Sequence, residues 1–79
     1  MIDSTTFEVD ARGLNCPLPL LKAKKALNAL APGACLRVLA TDSGSVRDFR
    51  VFCEQSGHAL LESAENDGIY CYVLQKRSS

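Results

Sequence analysis

Four cysteines stand in this chain of 79 residues, and one of them is set apart by its neighbours. Cys16 is followed directly by Pro17 and, after Leu18, by Pro19. Proline suits the first turn of a helix, whose amides have no intrahelical partner, so this run marks a place where a strand hands over to a helix. A helix amino end favours anions, and a thiolate or persulfide there is expected to be stabilised, with its pKa below that of an ordinary cysteine. The chemistry that suits such a position is nucleophilic attack by sulfur. Pro17 and Pro19 contribute no amide protons, which leaves chiefly the Leu18 and Leu20 amides as donors and presents the sulfur to a partner more than it encloses it. Because a residue before proline avoids helical torsions, the cap is either Cys16 or Leu18, with the helix starting at Pro19 in the second case.

The other thiols read differently. Cys35, Cys53 and Cys71 each lie inside an apolar-periodic strand or helix, where a free cysteine packs as a small hydrophobe. The gaps between the four are long, so no Cys-x-x-Cys pair exists to seed a zinc site or a dithiol redox centre. For Cys16 the bracketing prolines and the strand-to-helix location bring the nucleophile and the packed thiol level. Residues 1–6 lack the basic and then apolar pattern of a secretory leader, and no apolar run approaches membrane-spanning length. The expected address is therefore the cytoplasm, with the thiols reduced.

The elements that must hold Cys16 follow from periodicity. Phe7 and Val9 alternate with Glu8 and Asp10, the period of a half-buried strand. Leu20, Ala23, Leu27 and Leu30 share one helical face, with Lys22 and Lys25 elsewhere and Pro32-Gly33 as the stop. Cys35 to Ala40 reads as a second strand; Val46, Phe49, Phe52 and Cys53 mark a second helix that Gly57 ends. Two apolar runs flank Asn66-Asp67-Gly68, a strong hairpin signal. The order strand, helix, strand, helix, strand, strand gives an α/β two-layer sandwich, a four-stranded mixed sheet with both helices on one face and the other face open. One domain spans residues 1–79, and Lys76 to Ser79 is expected to fray.

Formal net charge is zero, so the chain as a whole offers no attraction to phosphate backbones, and no direct nucleic-acid partner is expected. The lysines are local: Lys22, Lys24 and Lys25 form a basic outer side on the first helix.

The run Asp10-Ala11-Arg12-Gly13-Leu14-Asn15-Cys16-Pro17-Leu18-Pro19 resembles the signature of the TusA/SirA-like sulfur carrier family. The likeness continues through Lys24-Lys25-Ala26-Leu27, Pro32-Gly33, Asp42, Arg47-Asp48, Cys53 and Gly57-His58. Many relatives have a proline after the Arg-Asp pair, where this chain continues with Phe49-Arg50. The resemblance implies that Cys16 takes sulfur as a persulfide from a cysteine desulfurase or another persulfide donor and relays it to an acceptor protein. Relatives feed tRNA thiolation, molybdenum cofactor formation or sulfur oxidation. It implies sulfurtransferase-type relay by a monomer, needing no metal or organic cofactor.

Around that cysteine, Gly13 is expected to supply a positive-φ turn and Asp10 a loop cap through its carboxylate. Lys24 and Lys25 are candidate partner contacts, since charges steer encounters. Arg47 and Asp48 read first as a local ion pair and cap, and otherwise as a docking point. His58 reads as a turn residue. Two other functions suit parts of the pattern: a redox sensor built on Cys16 alone, for which the prolines remove peroxide-binding donors, and a small nucleic-acid or protein-binding module, which zero net charge and the lack of an aromatic stacking platform disfavour.

Overall fold

Alternation along the central strands sets the layering. The computed structural model describes residues 6–78, so residues 1–5, on which the leader reading rests, and Ser79 lie outside the described residues. The strands are β1 (Thr6–Ala11), β2 (Cys35–Ala40), β3 (Ala59–Asn66) and β4 (Ile69–Gln75), and the helices are α1 (Leu18–Asn28) and α2 (Ser45–Ser56). In β2, Leu36, Val38 and Ala40 are buried while Arg37 is exposed, and in β4 Tyr72 and Leu74 are buried on that same side. Ala23 and Leu27 of α1 and Phe49 and Cys53 of α2 join these residues in one core, so both helices cover one sheet face. The expected two-layer sandwich, in the order β-α-β-α-β-β, is the fold observed.

The sheet runs β1-β2-β4-β3, with β1 parallel to β2 and the two β4 pairings antiparallel. β1 and β2 align from Thr6 opposite Cys35 to Ala11 opposite Ala40, so their carboxyl ends lie level and the two following loops leave the sheet side by side. The β3–β4 hairpin turns on Asp67 (φ 52°) and Gly68 (φ 81°), two consecutive left-handed residues as a tight twisted hairpin requires. On the open face Cys35 and Cys71 are half-buried, and only Cys53 among the thiols lies in the core. The reading of all three as packed inside is therefore corrected for two of them, because alternate strand residues point to opposite faces.

Two boundaries also differ from the sequence reading. α1 ends at Asn28 rather than at Pro32-Gly33, and Leu30, just past the helix, still packs against the core. Of the end expected to fray, Lys76 and Arg77 are tied down: Lys76 pairs through its backbone with Gly33 and Ala34, and its Nζ donates to the Leu30 carbonyl at 2.6 Å. The Arg77 amide donates to His58 Nδ1 at 3.0 Å.

A buried polar chain fixes α2 on the sheet. Ser45, at the start of α2, is 1% exposed, and its Oγ donates to the Asp42 carbonyl at 2.6 Å. That uses its only proton, so Tyr72 on β4 is the donor in the 2.7 Å bond between the two hydroxyls. The Tyr72 ring stacks on Phe49 with centroids 4.5 Å apart. Ser45→Ala leaves the Tyr72 hydroxyl buried without a partner and is expected to cost about 1–3 kcal/mol, whereas Tyr72→Phe removes the bond but leaves Ser45 satisfied, at about 1 kcal/mol. Urea unfolding of the two variants checks this, and equal losses or the reverse order would contradict the hydrogen-bond direction.

Candidate functional site

The level ends of β1 and β2 place residues 12–17 beside residues 41–44. Gly13, at φ 83°, donates its amide to Thr41 Oγ1 at 2.9 Å and so joins the two loops. Nothing lies within 4 Å of where a Gly13 side chain would begin, so backbone torsion and not crowding calls for glycine there. Arg12 folds back onto Asp10, its amide at 3.1 Å and its Nε at 2.9 Å from Oδ1, with a second guanidinium nitrogen 3.0 Å from Oδ2. Lys22 Nζ reaches from α1 to the Asp10 carbonyl at 2.9 Å. Asp10 thus closes the strand end and ties it to the helix.

Cys16 is exposed at the tip of this loop, joined to Pro17 by a cis peptide bond. The cap of α1 is Pro17, with φ −99° and ψ 18°, so neither Cys16 nor Leu18 occupies it. Pro19 is buried and anchors the first turn in the core, while Leu18 and Leu21 stand about half exposed beside the sulfur-bearing loop. The Leu18 amide donates to the Asn15 carbonyl at 2.8 Å. One of the two first-turn amides expected to serve the sulfur is therefore spent on the loop itself.

The partner of Cys16 comes from far along the chain. Its Sγ donates to Asp48 Oδ2 at 2.6 Å, with Asp48 in the first turn of α2. Gly44 lets the two segments meet: a side-chain carbon on it would stand 3.1 Å from Asp42 Oδ2, 3.6 Å from Cys16 Cβ and 3.8 Å from Cys16 Sγ. The hydrogen bond to Asp48 pushes the Cys16 thiol above its ordinary pKa, and partial shielding from water together with the negative charges of Asp48 and Asp42 adds to the rise. The expected depression is thus reversed, because a carboxylate faces the sulfur where the helix amides were expected to.

The ion pairs among the described residues are Arg12–Asp10 and Arg37–Glu8, so the local Arg47–Asp48 pair read from sequence is replaced by the Asp48–Cys16 contact. α2 is capped at Gly44 with no side-chain bond, so Asp48 is not its cap either. Arg47 and Asp48 instead line an open groove of about 330 Å³ between the helices, with Leu20, Lys24, Val51 and Phe52. Lys24 Nζ lies 5.3 Å from the centre of the Phe52 ring. Lys25 is exposed in the last turn of α1 and does not line the groove. No three His, Cys, Asp or Glu side chains gather as a metal site among the described residues, and no described helix is long and apolar enough to cross a membrane.

A family model described as sulfurtransferase TusA matches residues 7–76. The chain is 54% identical to the sulfur carrier protein TusA of Allochromatium vinosum over 69 residues, which cover 87% of this chain and 91% of that protein. It is 51% identical to a putative sulfur carrier protein of Neisseria meningitidis serogroup A, with 87% and 93% covered. The TusA sulfur carrier of Pseudomonas aeruginosa matches over 78 residues at 41% identity, with 99% of each chain covered. Among solved structures, a SirA-like protein from Desulfitobacterium hafniense superposes with a TM-score of 0.80 at 30% identity, covering 90% of this chain and 97% of that one.

The Asp10 carboxyl is held at about 2, against an ordinary 3.8, chiefly by the side-chain hydrogen bond from Arg12 and then by the Arg12 amide. Because the folded value is depressed, the clasp is complete above 3.8 and is lost as the pH falls through about 2. Carboxyl-carbon NMR titration is expected to find Asp10 still ionised at about pH 3; an ordinary titration midpoint would show that the clasp does not form in solution.

Proposed function

This chain belongs to the TusA family of sulfur carriers and relays sulfur, and on that premise we propose that Cys16 is the residue that bears the sulfur, as a persulfide. Exposure is the observation that carries this reading. Cys16 stands exposed at the meeting of two loops, whereas Cys53 is in the core and Cys35 and Cys71 are half-buried on the opposite sheet face. In loading, the Cys16 thiolate attacks the outer sulfur of a donor persulfide; that sulfur–sulfur bond breaks as the new one forms, and the donor departs as a thiolate. Delivery repeats the step with an acceptor thiolate attacking the outer sulfur on Cys16. One neutral sulfur atom moves each time, so no external oxidant or reductant enters.

A sulfur carrier works between a donor and an acceptor. The donor in this reading is a cysteine desulfurase or another persulfide protein. The acceptor is a thiol protein that serves tRNA thiolation, molybdenum cofactor assembly or another branch of sulfur metabolism. The carrier acts as a cytoplasmic monomer, with Asp10 and Gly13 shaping the loop and Pro17 and Pro19 setting the start of α1. The groove beside Asp48 is the docking surface. Its apolar floor of Leu20, Val51 and Phe52 and its cations Lys24 and Arg47 suit a partner segment with apolar and acidic side chains. A peroxide sensor needs hydrogen-bond donors around its thiol, and Pro17 and Pro19 supply none, which counts against that reading.

Cys16→Ser is expected to fold and to accept no labelled sulfur from a desulfurase supplied with cysteine. The combined Cys35→Ser, Cys53→Ala and Cys71→Ser variant is expected to accept it at an undiminished rate, with some loss of stability from Cys53 in the core. Sulfur uptake by Cys16→Ser would overturn the assignment. Lys24→Glu is expected to slow loading several-fold at low ionic strength and less at high donor concentration, since steering acts on the encounter. Lys25→Glu, outside the groove, is expected to change it little; equal effects of the two would remove the groove as the docking site.

A further inference from the structure

Among the described residues, the charges that act on Cys16 are two carboxylates. From α2, Asp48 accepts the thiol proton across 2.6 Å. From the turn between β2 and α2, Asp42 presents Oδ2, an oxygen shut off from solvent that accepts no hydrogen bond among the described residues, at the edge of the same space beside Cys16 that Gly44 leaves open. The segment of Cys16 itself is uncharged from Gly13 to Leu21. Three cations of α1 and the loop before it are engaged elsewhere: Arg12 with the Asp10 carboxylate, Lys22 with the Asp10 carbonyl and Lys24 over the Phe52 ring. Arg47 lines the groove and makes no ion pair with Asp48 among the described residues.

We propose that Asp48, backed by Asp42, is a positioning residue that locks the resting carrier, drawing the unloaded Cys16 thiol in against α2 as a hydrogen-bond donor and driving the anionic, loaded persulfide outward. The inference rests on Cys16 as the sulfur-bearing residue and adds what controls it. A thiol has a proton to give Asp48, whereas a thiolate or a persulfide anion has none and meets like charge at the same oxygen. The lock therefore acts on both half-reactions. Fewer Cys16 side chains are thiolate, which slows attack on a small electrophile, and a more basic leaving sulfur departs more slowly when a small thiol attacks the outer sulfur of the load. In that discharge the incoming thiolate forms a bond to the outer sulfur and the bond to Cys16 Sγ breaks. The electron pair stays on Sγ, which takes a proton from water and returns to Asp48. A carrier built this way keeps its sulfur from free thiols until it has docked.

The test uses the full chain carrying Cys35→Ser, Cys53→Ala and Cys71→Ser, with and without Asp48→Asn, Asp48→Glu or Asp42→Asn. The rate of alkylation by a neutral reagent is followed against pH, and discharge of polysulfide-loaded protein to free cysteine is followed by intact mass. Asp48→Asn, which keeps the size of the side chain and removes its charge, is expected to lower the alkylation inflection. Each unit of that fall raises the thiolate fraction at neutral pH about tenfold and the alkylation rate about threefold, because a less basic thiolate is a weaker nucleophile. The same variant is expected to discharge several-fold faster. Asp48→Glu is expected to restore both toward the parent, and Asp42→Asn, which acts through space, to shift them in the same direction by less. A purely structural role for Asp48 would move the melting temperature and leave the inflection in place; an inflection unchanged or raised in Asp48→Asn overturns the proposal. Failure of the parent to take sulfur from polysulfide would instead overturn the assignment of Cys16 as carrier, while the alkylation profiles still decide the role of Asp48.

Discussion

Two loops at the level ends of β1 and β2 have to be held against each other, and a hydrogen-bonded chain below them does it. Tyr72 on β4 donates to Ser45, and Ser45 donates to the Asp42 carbonyl. That chain sets where α2 begins, and with it where Asp42, Gly44 and Asp48 stand. Above it, the Gly13 amide on Thr41 Oγ1 fixes the other loop. Buried polar groups of this kind are costly unless all are satisfied, which makes the position of α2 specific and not merely favourable. The sulfur then sits where two chain segments distant in sequence converge, at the carboxyl ends of parallel strands, where α/β sheets place their sites.

The electrostatics of the sulfur follow from which group is nearest. A helix amino end acts through amides, and around Cys16 the two prolines have none while the Leu18 amide is bonded to Asn15. Asp48, by contrast, meets the thiol directly, and hydrogen bonds to an ionised acceptor are roughly twice as strong as neutral ones. The carboxylate wins, and the thiol is favoured over the thiolate. In the proposed relay this bias makes Cys16 exchange slowly with small thiols.

Much of this was legible in the residues. Strand and helix periods, the Asp67-Gly68 turn and Gly57 as the stop of α2, at φ 86°, gave the order of elements and the face they share. The place of Cys16 between a strand and a helix, exposed, was legible because its two prolines are a local signal. Asp48 was not, since the contact spans 32 residues and depends on the register of β1 on β2 and on the seat of Ser45. An Arg-Asp pair in a first helical turn reads locally as an ion pair, and only tertiary packing turns Asp48 toward the sulfur. Cys35 and Cys71 were misread for a related reason: a strand covered on one face only needs its apolar alternation on that face, and a thiol on the other face looks the same in sequence. The anchored Lys76 and Arg77 hold onto carbonyls and a histidine supplied by other elements, which no charge pattern near the end of the chain reveals.

The most direct measurement is to locate the sulfur. The unmodified chain is incubated with a cysteine desulfurase and cysteine, trapped by a thiol-blocking reagent and digested, and the added sulfur is assigned by tandem mass spectrometry. The account predicts one extra sulfur atom on the peptide that carries Cys16 and none on those carrying Cys35, Cys53 and Cys71; sulfur found mainly on any of the other three, or on none of the four, would contradict it.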